Sequence, residues 1–416
     1  MKVLVIGRGG REHAVVKKFK RDGVEEIFCA PGNPGMMEAT LVDIEETQAT
    51  ELATWAKVNE IDLTIVGPEM ALMAGVVDAF EAEGLKAFGP RKAAAYIEGS
   101  KAFAKRLMDK YNIPTATYGE FSNTQVEGAL KFLDQQSMPI VIKADGLAAG
   151  KGVMICQTLE DARATVNDML IDASFGEASA SIVIEEFLAG EEFSLMCFVA
   201  GDKFYPMPIA RDYKRAYDND EGLNTGGMGA HSPHPLITEA DYQVALEKIV
   251  KPTVDAMIAE GIPFTGILYA GLIKTADGPK VIEFNARFGD PETEVVLPLL
   301  ETDLSTILLE LLAGEGVDIE WSNKQTVGVV LAAKGYPADY EKGVPIKALD
   351  TLEDVDIYHM GTGLIDGEVV TNGGRVLIVV ASDSNLESAR AKVYAELRKI
   401  DCDDLFYRKD IARRAQ

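Results

Sequence analysis

Only four cysteines occur in 416 residues, Cys29, Cys156, Cys197 and Cys402, and no two stand in a C-x-x-C spacing. That scarcity excludes a disulfide framework and a thiolate zinc cluster, and it fits a reducing compartment. Histidine is as sparse, with four in all and His231 and His234 as the only close pair. No apolar run approaches the roughly 18–20 residues needed to span a bilayer, so no membrane segment is expected. Met1-Lys-Val-Leu-Val-Ile6 opens directly as a strand and leaves no room for a signal peptide, which points to the cytoplasm. Positive charge is also short, with 41 Lys and Arg against 66 Asp and Glu and a net charge of −25. A field of that sign repels nucleic-acid backbones and anionic membranes. Any anionic small molecule would need a local basic pocket.

The length fits two to four domains. Residues 1–100 alternate short apolar strands (Val3–Ile6, Glu26–Cys29, Leu63–Val66, Ala87–Phe88) with helical stretches such as Arg11–Arg21 and Thr50–Asn59. Such alternation predicts a parallel α/β sheet whose ligands gather at the carboxyl ends of the strands. Those ends carry Gly7-Arg-Gly-Gly-Arg-Glu12, Ala30-Pro-Gly-Asn-Pro-Gly35 and Gly67-Pro-Glu69. The first is no dinucleotide fingerprint, because Glu12 stands where the third glycine belongs. The second strand also lacks the ribose-binding acid, so a single anion at the helix start is the better expectation. Residues 101–321 read as a larger α+β region, with strands Met138–Ala144, Ile182–Phe187, Phe193–Val199, Pro206–Ala210, Ile267–Lys274 and Val281–Asn285 and the helix Asp303–Ala313. Residues 322–416 return to strands (Thr326–Ala333, Lys347–Ala348, Tyr358–Met360, Arg375–Ser382) and close with the helix Asn385–Ile400. Glu315-Gly316 and Ser322–Gln325 are the expected hinge.

The densest chemistry lies in Val281-Ile-Glu-Phe-Asn-Ala-Arg-Phe-Gly-Asp-Pro-Glu292. Strand alternation turns Glu283, Asn285 and Arg287 to one face and Ile282, Phe284 and Phe288 mostly to the packed side. A carboxylate and an amide oxygen two residues apart suit a hard divalent cation, and the arginine adds a fork for phosphate or carboxylate. A solvated polar strand is the plain alternative for such a pattern by itself. Val141-Ile-Lys-Ala-Asp-Gly-Leu-Ala-Ala-Gly-Lys-Gly-Val153 puts Lys143 on a strand ahead of a glycine loop bearing Lys151. Flexible glycines let backbone amides fold over phosphates. It is not a P-loop: three residues separate Gly146 from Gly150, and Gly152 replaces the hydroxyl residue. Ile182-Val-Ile-Glu-Glu-Phe-Leu-Ala-Gly-Glu-Glu-Phe193 offers a linker for an adenine edge, with Phe187 and Leu188 over its face and Glu191 or Glu192 near a ribose. Asn224-Thr-Gly-Gly-Met-Gly229 is a glycine-dense turn whose amides suit a carboxylate or phosphate.

The strand lysine, the G-x-x-x-G-K-G loop, the E-E-F-L linker and the E-x-N-x-R strand, in this order, resemble the ATP-grasp enzymes. The resemblance narrows to the phosphoribosylamine–glycine ligase (glycinamide ribonucleotide synthetase) family through Gly7–Ala14, Ala30–Asn33, Val66–Glu69, Gly99–Phe103, Asn224–Gly229, Gly266–Leu272 and Thr371-Asn-Gly-Gly-Arg375. These motifs span nearly the whole chain. The resemblance implies an N-terminal parallel α/β domain (1–100), a central ATP-grasp domain (101–321) with an inserted lid at about 118–188, and a small C-terminal α+β domain (322–416). It implies ligation of glycine to 5-phosphoribosylamine with ATP, through glycyl phosphate, in purine (IMP) biosynthesis. The expected partners are small molecules, with no nucleic acid or membrane, in a monomer or weak homodimer.

By position, the resemblance puts Lys105, Lys143 and the loop Gly146, Gly150, Lys151, Gly152 on the ATP phosphates. Glu185, Glu186, Phe187, Leu188 and Glu192 would meet the adenosine, and Glu283 and Asn285 would ligate Mg2+ or Mn2+. Gly10, Glu12, Asn33, Glu69, Asp212, Lys214, Thr225, Gly226, Gly227, Met228, Gly229, Arg287, Gly289 and Asp290 would form the substrate region. Arg287, Lys143 and Lys151 would carry charge compensation during phosphoryl transfer. One departure stands out: Tyr269-Ala-Gly-Leu272 lacks the second acidic metal ligand many ATP-grasp enzymes hold on the preceding strand. The alternatives are another ATP-grasp carboxylate–amine ligase or carboxylase, a nucleotide sensor with a degenerate site, and a dinucleotide oxidoreductase. Complete charged groups oppose the sensor, and Glu12 opposes the oxidoreductase.

Overall fold

The structure, a computed structural model, describes residues 1–146, 152–172, 174 and 180–413. Its first unit is a five-stranded parallel sheet ordered Thr40–Leu41, Glu26–Pro31, Lys2–Gly7, Leu63–Val66, Ala87–Phe88. The central strand is apolar on both faces because helices cover both. Leu4 and Ile6 enter one buried cluster, and Val3 and Val5 the other. The helix Gly10–Arg21 starts where the first strand ends; Glu12 accepts the Gly9 amide at 2.7 Å, and basic residues close its last turn.

Two antiparallel four-stranded sheets follow. The base sheet runs Lys203–Pro206, Glu191–Ala200, Thr265–Thr275, Gly278–Asn285. Leu195, Cys197, Leu268, Ala270 and Leu272 face one cluster; Met196, Phe198, Ile267 and Tyr269 face the other. The lid sheet runs Tyr118–Ser122, Ser181–Glu186, Ile140–Ala144, Val153–Cys156. With the helices Val126–Leu133 and Leu159–Leu170 it buries a core of its own, built on Ile140, Ile142, Ile182, Ile184, Ala129 and Val166. A third sheet joins Arg211–Asp212, Gly229–Ser232, Gln325–Ala333, Arg375–Asp383 and Asp356–His359, with Leu405–Phe406 beside it. It therefore draws strands from both sides of residue 322. Among the described residues no helix is long and apolar enough to cross a membrane.

Three expectations change. The strand expected at Pro206–Ala210 runs instead over Lys203–Pro206, and Ala210 makes a separate bridge to Ser194. Pro208 has no N–H to donate, so the ladder breaks there. Lys347–Ala348 forms only a single bridge, from Lys347 to Asp401, because Ala348 turns left-handed at φ 65°. The third concerns Ile282, expected on the packed side. The pairing runs from Gly271↔Glu283 to Leu272↔Val281, so Ile282 is the extra residue of a β-bulge. Val281 and Phe284 pack in the core, while both Ile282 and Glu283 border the cleft.

Candidate active site

Lid sheet and base sheet face each other across a cleft of about 710 Å³ that runs on to the ends of the N-terminal strands. Val141 and Ile155 line it from the lid, Ile273 and Ile282 from the base, and the linker residues Phe187 and Leu188 from one end. These give a flat ring two apolar walls. Deeper in, Lys105 and Lys143 converge on one carboxylate oxygen, Glu185 Oε2, at 3.2 and 3.0 Å. Lys143 also donates to the Ile282 carbonyl at 3.0 Å and so links lid to base at the bulge. Burial, opposed by Glu185 and reinforced by Lys143, pulls the Lys105 ammonium down to about 8.

Opposite these lysines stand Glu283 and Asn285. Burial alone would raise the Glu283 carboxyl, but Lys214, Lys143, Lys101 and Arg287 hold it down to about 2. Lys214 Nζ lies 3.7 Å from Glu283 Oε1. Arg287 is anchored on four sides: to Glu98 at 2.8 Å, to Glu69 at 3.3 Å, to Asn285 Oδ1 at 3.2 Å and to the Phe288 carbonyl at 3.2 Å. An ionised carboxylate beside an oriented amide oxygen is a donor set that a hard divalent cation fits. The neighbouring strand offers Gly271 opposite Glu283 and Tyr269 opposite Asn285, so no second carboxylate comes from it.

Eighteen of the residues singled out in the sequence come together on this cleft. They are Lys105, Lys143, Gly146, Gly152, Glu185, Glu186, Phe187, Leu188 and Glu192, with Glu69, Asp212, Lys214, Thr225, Gly226, Glu283, Asn285, Arg287 and Asp290. Gly150 and Lys151 lie outside the described residues. Seven others do not border it. Glu12 is spent on the Gly9 amide and on Arg11. The Asn33 amide donates to the Arg8 carbonyl at 2.7 Å and the His359 carbonyl at 3.1 Å, tying the first unit to the C-terminal sheet. Gly10 leaves room for Glu294 and Met360, and Gly289 for Glu292. Gly227, at φ +119°, packs against Pro291 and Asp212 and admits no side chain, Met228 is buried, and Gly229 packs against the Gly328 carbonyl and Ile411.

Sequence reasoning missed Arg11, Glu98, Lys101 and Glu292, which all line the cleft. Each adjoins a quoted motif, so the signal was there but carried no role. It also left Arg375 without a role. Its guanidinium holds Asp290 Oδ1 at 2.7 Å and the Gly226 carbonyl at 2.9 Å, so a C-terminal residue clamps two substrate loops. Glu292 is buried and accepts from Ser194 and Tyr269 hydroxyls, each at 2.8 Å.

Two antiparallel sheets closing on a lysine-lined cleft, with an E-x-N strand at its floor, define an ATP-grasp protein. Comparison with known proteins narrows this. Residues 1–98 match the N domain of phosphoribosylglycinamide synthetase, 99–293 its ATP-grasp (A) domain and 326–414 its C domain. The phosphoribosylamine–glycine ligase of Halalkalibacterium halodurans is 54% identical over 418 residues, covering 100% of this chain and 97% of that protein. That of Streptococcus pneumoniae is 50% identical, with 100% of both chains covered. The crystal structure of phosphoribosylamine–glycine ligase from Thermotoga maritima superposes with a TM-score of 0.86 at 36% identity, covering 99% of this chain and 100% of that one. The biotin carboxylase domain of a Hydrogenobacter thermophilus 2-oxoglutarate carboxylase, 15% identical with a TM-score of 0.75 and covering 98% and 91%, shares the fold. The chain belongs to the phosphoribosylglycinamide synthetase family.

Proposed function

We propose that the chain joins glycine to 5-phosphoribosylamine at the expense of ATP, giving glycinamide ribonucleotide, ADP and phosphate in purine biosynthesis. The observation that carries this is the bridging of the two sheets by Lys143, opposite the Glu283–Asn285 pair, in a chain that matches the family end to end. Adenine lies between the apolar walls against Phe187 and Leu188, and Glu186 and Glu192 face the nucleoside. Lys105 and Lys143 exchange Glu185 for phosphate oxygens. Glu283 and Asn285 hold Mg2+ or Mn2+, which when bound neutralises phosphate charge and templates the transfer. The lid at about 118–188 closes the cleft, as its separate core allows.

The glycine carboxylate attacks the γ-phosphorus and ADP departs. The ribosylamine nitrogen then attacks the acyl carbon, phosphate leaves, and the nitrogen loses a proton. The chain's residues position and neutralise rather than bond covalently: Lys143, Lys151 and Arg287 surround the charge that develops on the transferred group. Lid closure keeps water from the acyl phosphate. Glu69, Lys214, Thr225, Gly226 and Asp290 surround the two acceptor substrates. The protein works in the cytoplasm as a monomer or weak homodimer.

The test is ADP release with magnesium-ATP and freshly prepared phosphoribosylamine, with and without glycine. ADP formed only with both acceptors present supports the ligase. Release without glycine, or none at all, sends the assignment to another carboxylate and amine.

A further inference from the structure

His13 is buried in the helix Gly10–Arg21, two residues past Arg11, and does not itself border the cleft. Its ring is fixed from two sides by groups of other elements. Nδ1 accepts the backbone N–H of His359 at 2.9 Å, from the strand Asp356–His359 of the C-terminal sheet. A ring nitrogen that accepts from an amide carries no proton, so the neutral ring keeps its hydrogen on Nε2. That nitrogen lies 3.2 Å from Glu38 Oε2 and donates to it. One neutral tautomer satisfies both contacts, whereas the imidazolium would set an N–H against the His359 amide.

The contact continues around the ring. His359 Nδ1 lies 2.9 Å from the Thr362 hydroxyl. Asn33 donates to the His359 carbonyl at 3.1 Å and accepts the Gly35 amide at 2.9 Å. A Cβ at Gly35 would stand 2.1 Å from the His359 ring, so the loop that ends the second strand touches that ring directly. Tyr358 meets the His13 ring edge-on, with centroids 5.9 Å apart. On the other side of the same helical turn, Arg11 donates to the Phe288 carbonyl at 3.2 Å and borders the cleft with Glu69 and Arg287. The His13 amide closes that turn onto the Gly9 carbonyl at 3.0 Å. The place of Arg11 therefore depends on how the turn is held against the C-terminal sheet.

Charges reach the ring from every element packed on it. Burial lowers the His13 value; Glu38 and Asp356 oppose it, and Lys17 on the same helix adds to it. Burial, with the charges of His13 and Lys17, also holds His359 down to about 3. We infer that His13 is a positioning residue for the reaction: as the neutral Nε2–H tautomer it fastens the helix bearing Arg11 to the C-terminal sheet and so fixes the acceptor end of the cleft. This rests on the ligase reading, which puts the acceptor substrates beside Glu69.

The test is the affinity for glycinamide ribonucleotide, the product that fills the acceptor end, measured beside that for magnesium-ADP. His13→Phe keeps a ring and removes both hydrogen bonds. It should weaken glycinamide ribonucleotide by about tenfold, the net worth of one to two hydrogen bonds, and leave magnesium-ADP close to wild type. His13→Asn returns an acceptor to the His359 amide and should recover most of that loss. Relative to His13→Phe, the wild type should lose affinity as the pH falls below the ordinary histidine value of 6.5 and the ring takes its second proton. Nitrogen NMR of histidine-labelled wild type reads the ring itself, and should show a bare Nδ1 and a protonated Nε2 on His13 at neutral pH. A His13 that titrates at 6.5 or above, or that carries its proton on Nδ1, overturns the inference. So does an unchanged affinity in His13→Phe, or a loss shared equally with magnesium-ADP, which would be general loosening. If His13→Phe fails to fold, His13→Asn and the ring tautomer decide. Failure of the ligase reading shows separately, as a wild type without glycine-dependent ADP release.

Discussion

Lys143 and Glu185 form a buried ion pair on neighbouring strands of the lid sheet, nitrogen and oxygen 3.0 Å apart. Lys105 shares the same oxygen from the helix Lys101–Lys110. Two ammonium groups thus share one carboxylate and leave a net positive charge in a place where phosphates are proposed to enter. Glu185→Gln leaves two ammonium groups facing each other without a counter-charge. Breaking a buried pair in this way costs about 3–5 kcal/mol. The variant should unfold at lower temperature than the wild type without nucleotide. Saturating magnesium-ADP should restore part of the difference, because phosphate replaces the lost carboxylate. Equal melting of both proteins in both conditions would show that this pair does not hold the cleft.

Lys105 predicts a pH limb. With its ammonium pulled down to about 8 by burial, it carries charge below that pH and loses it above. A phosphate contact made by this group weakens as the pH rises. The KM for ATP should therefore climb above about pH 8, by at most about tenfold per pH unit for one titrating group. Lys105→Met should raise the KM at every pH and flatten the limb. A wild-type KM that stays level from neutrality to well above pH 8 would remove Lys105 from phosphate binding.

Arg287 and Glu283 are proposed to act on the transferring group. Arg287 meets Glu98, Glu69, Asn285 and the Phe288 carbonyl at once, which a planar five-donor fork can do and a lysine cannot. Arg287→Lys should lower kcat/KM by about 10²–10³, the usual loss for a preorganised charge contact. Glu283→Gln should fall by a similar factor and should also unfold at a lower temperature without nucleotide, because it removes the carboxylate that Lys214, Lys143, Lys101 and Arg287 hold ionised. Normal turnover in either variant would take that residue out of the mechanism.

Much of this was legible in the sequence because local periodicity carries it. The parallel sheet follows from apolar strands alternating with helices, and the E-x-N-x-R face follows from a two-residue repeat. What was not legible depends on pairing across distance. Nothing in Val281–Asn285 marks Ile282 as a bulge; that register exists only against Gly271 and Leu272. Asn33 looked like a ligand in a Pro-Gly-Asn loop, but its donors are taken by Arg8 and by His359, more than 300 residues away. Arg375 has its role only because the C-terminal sheet brings it to Asp290. Charged residues on loops read alike whether they meet a ligand or another loop, and the fold decides between them.

Glu294 is wholly buried, and neither of its carboxylate oxygens has a hydrogen-bond partner among the described residues. Burial first, and the charge of Asp290 second, push its carboxyl well above the ordinary range, so it folds in the neutral form. The sign of the linkage follows. A carboxyl whose folded value exceeds its unfolded value binds more protons when folded, so stability falls as pH rises above the unfolded value near 4.5. Glu294→Gln supplies a neutral group of the same shape and removes that penalty. The variant should be more stable than the wild type at pH 8, and the two should converge toward pH 4–5, as read by urea unfolding across that range. A variant that is less stable at pH 8 would mean that Glu294 is ionised and paired in the folded protein.

Arg408 links the end of the chain to the substrate side of the cleft. It is 1% exposed and forks onto Asp410, with nitrogen–oxygen distances of 2.8 and 2.7 Å. Its remaining donors reach Asp220 at 2.9 Å and the Arg215 carbonyl at 3.0 Å, and its guanidinium lies 5.1 Å from the centre of the Tyr213 ring. Those contacts pin the hairpin Arg215–Tyr217 and Glu221–Asn224, which follows Asp212 and Lys214 and lines the cleft with Arg215, Asp220 and Asn224. A lysine keeps the charge but cannot make the fork or stack on the ring. Arg408→Lys should therefore loosen the hairpin and raise the KM of an acceptor substrate, while binding of magnesium-ADP, which rests on the two sheets, stays close to wild type. Nucleotide binding lost in step with the acceptor KM would indicate general destabilisation instead, and unchanged kinetics would show that the hairpin holds its place without the C-terminal segment.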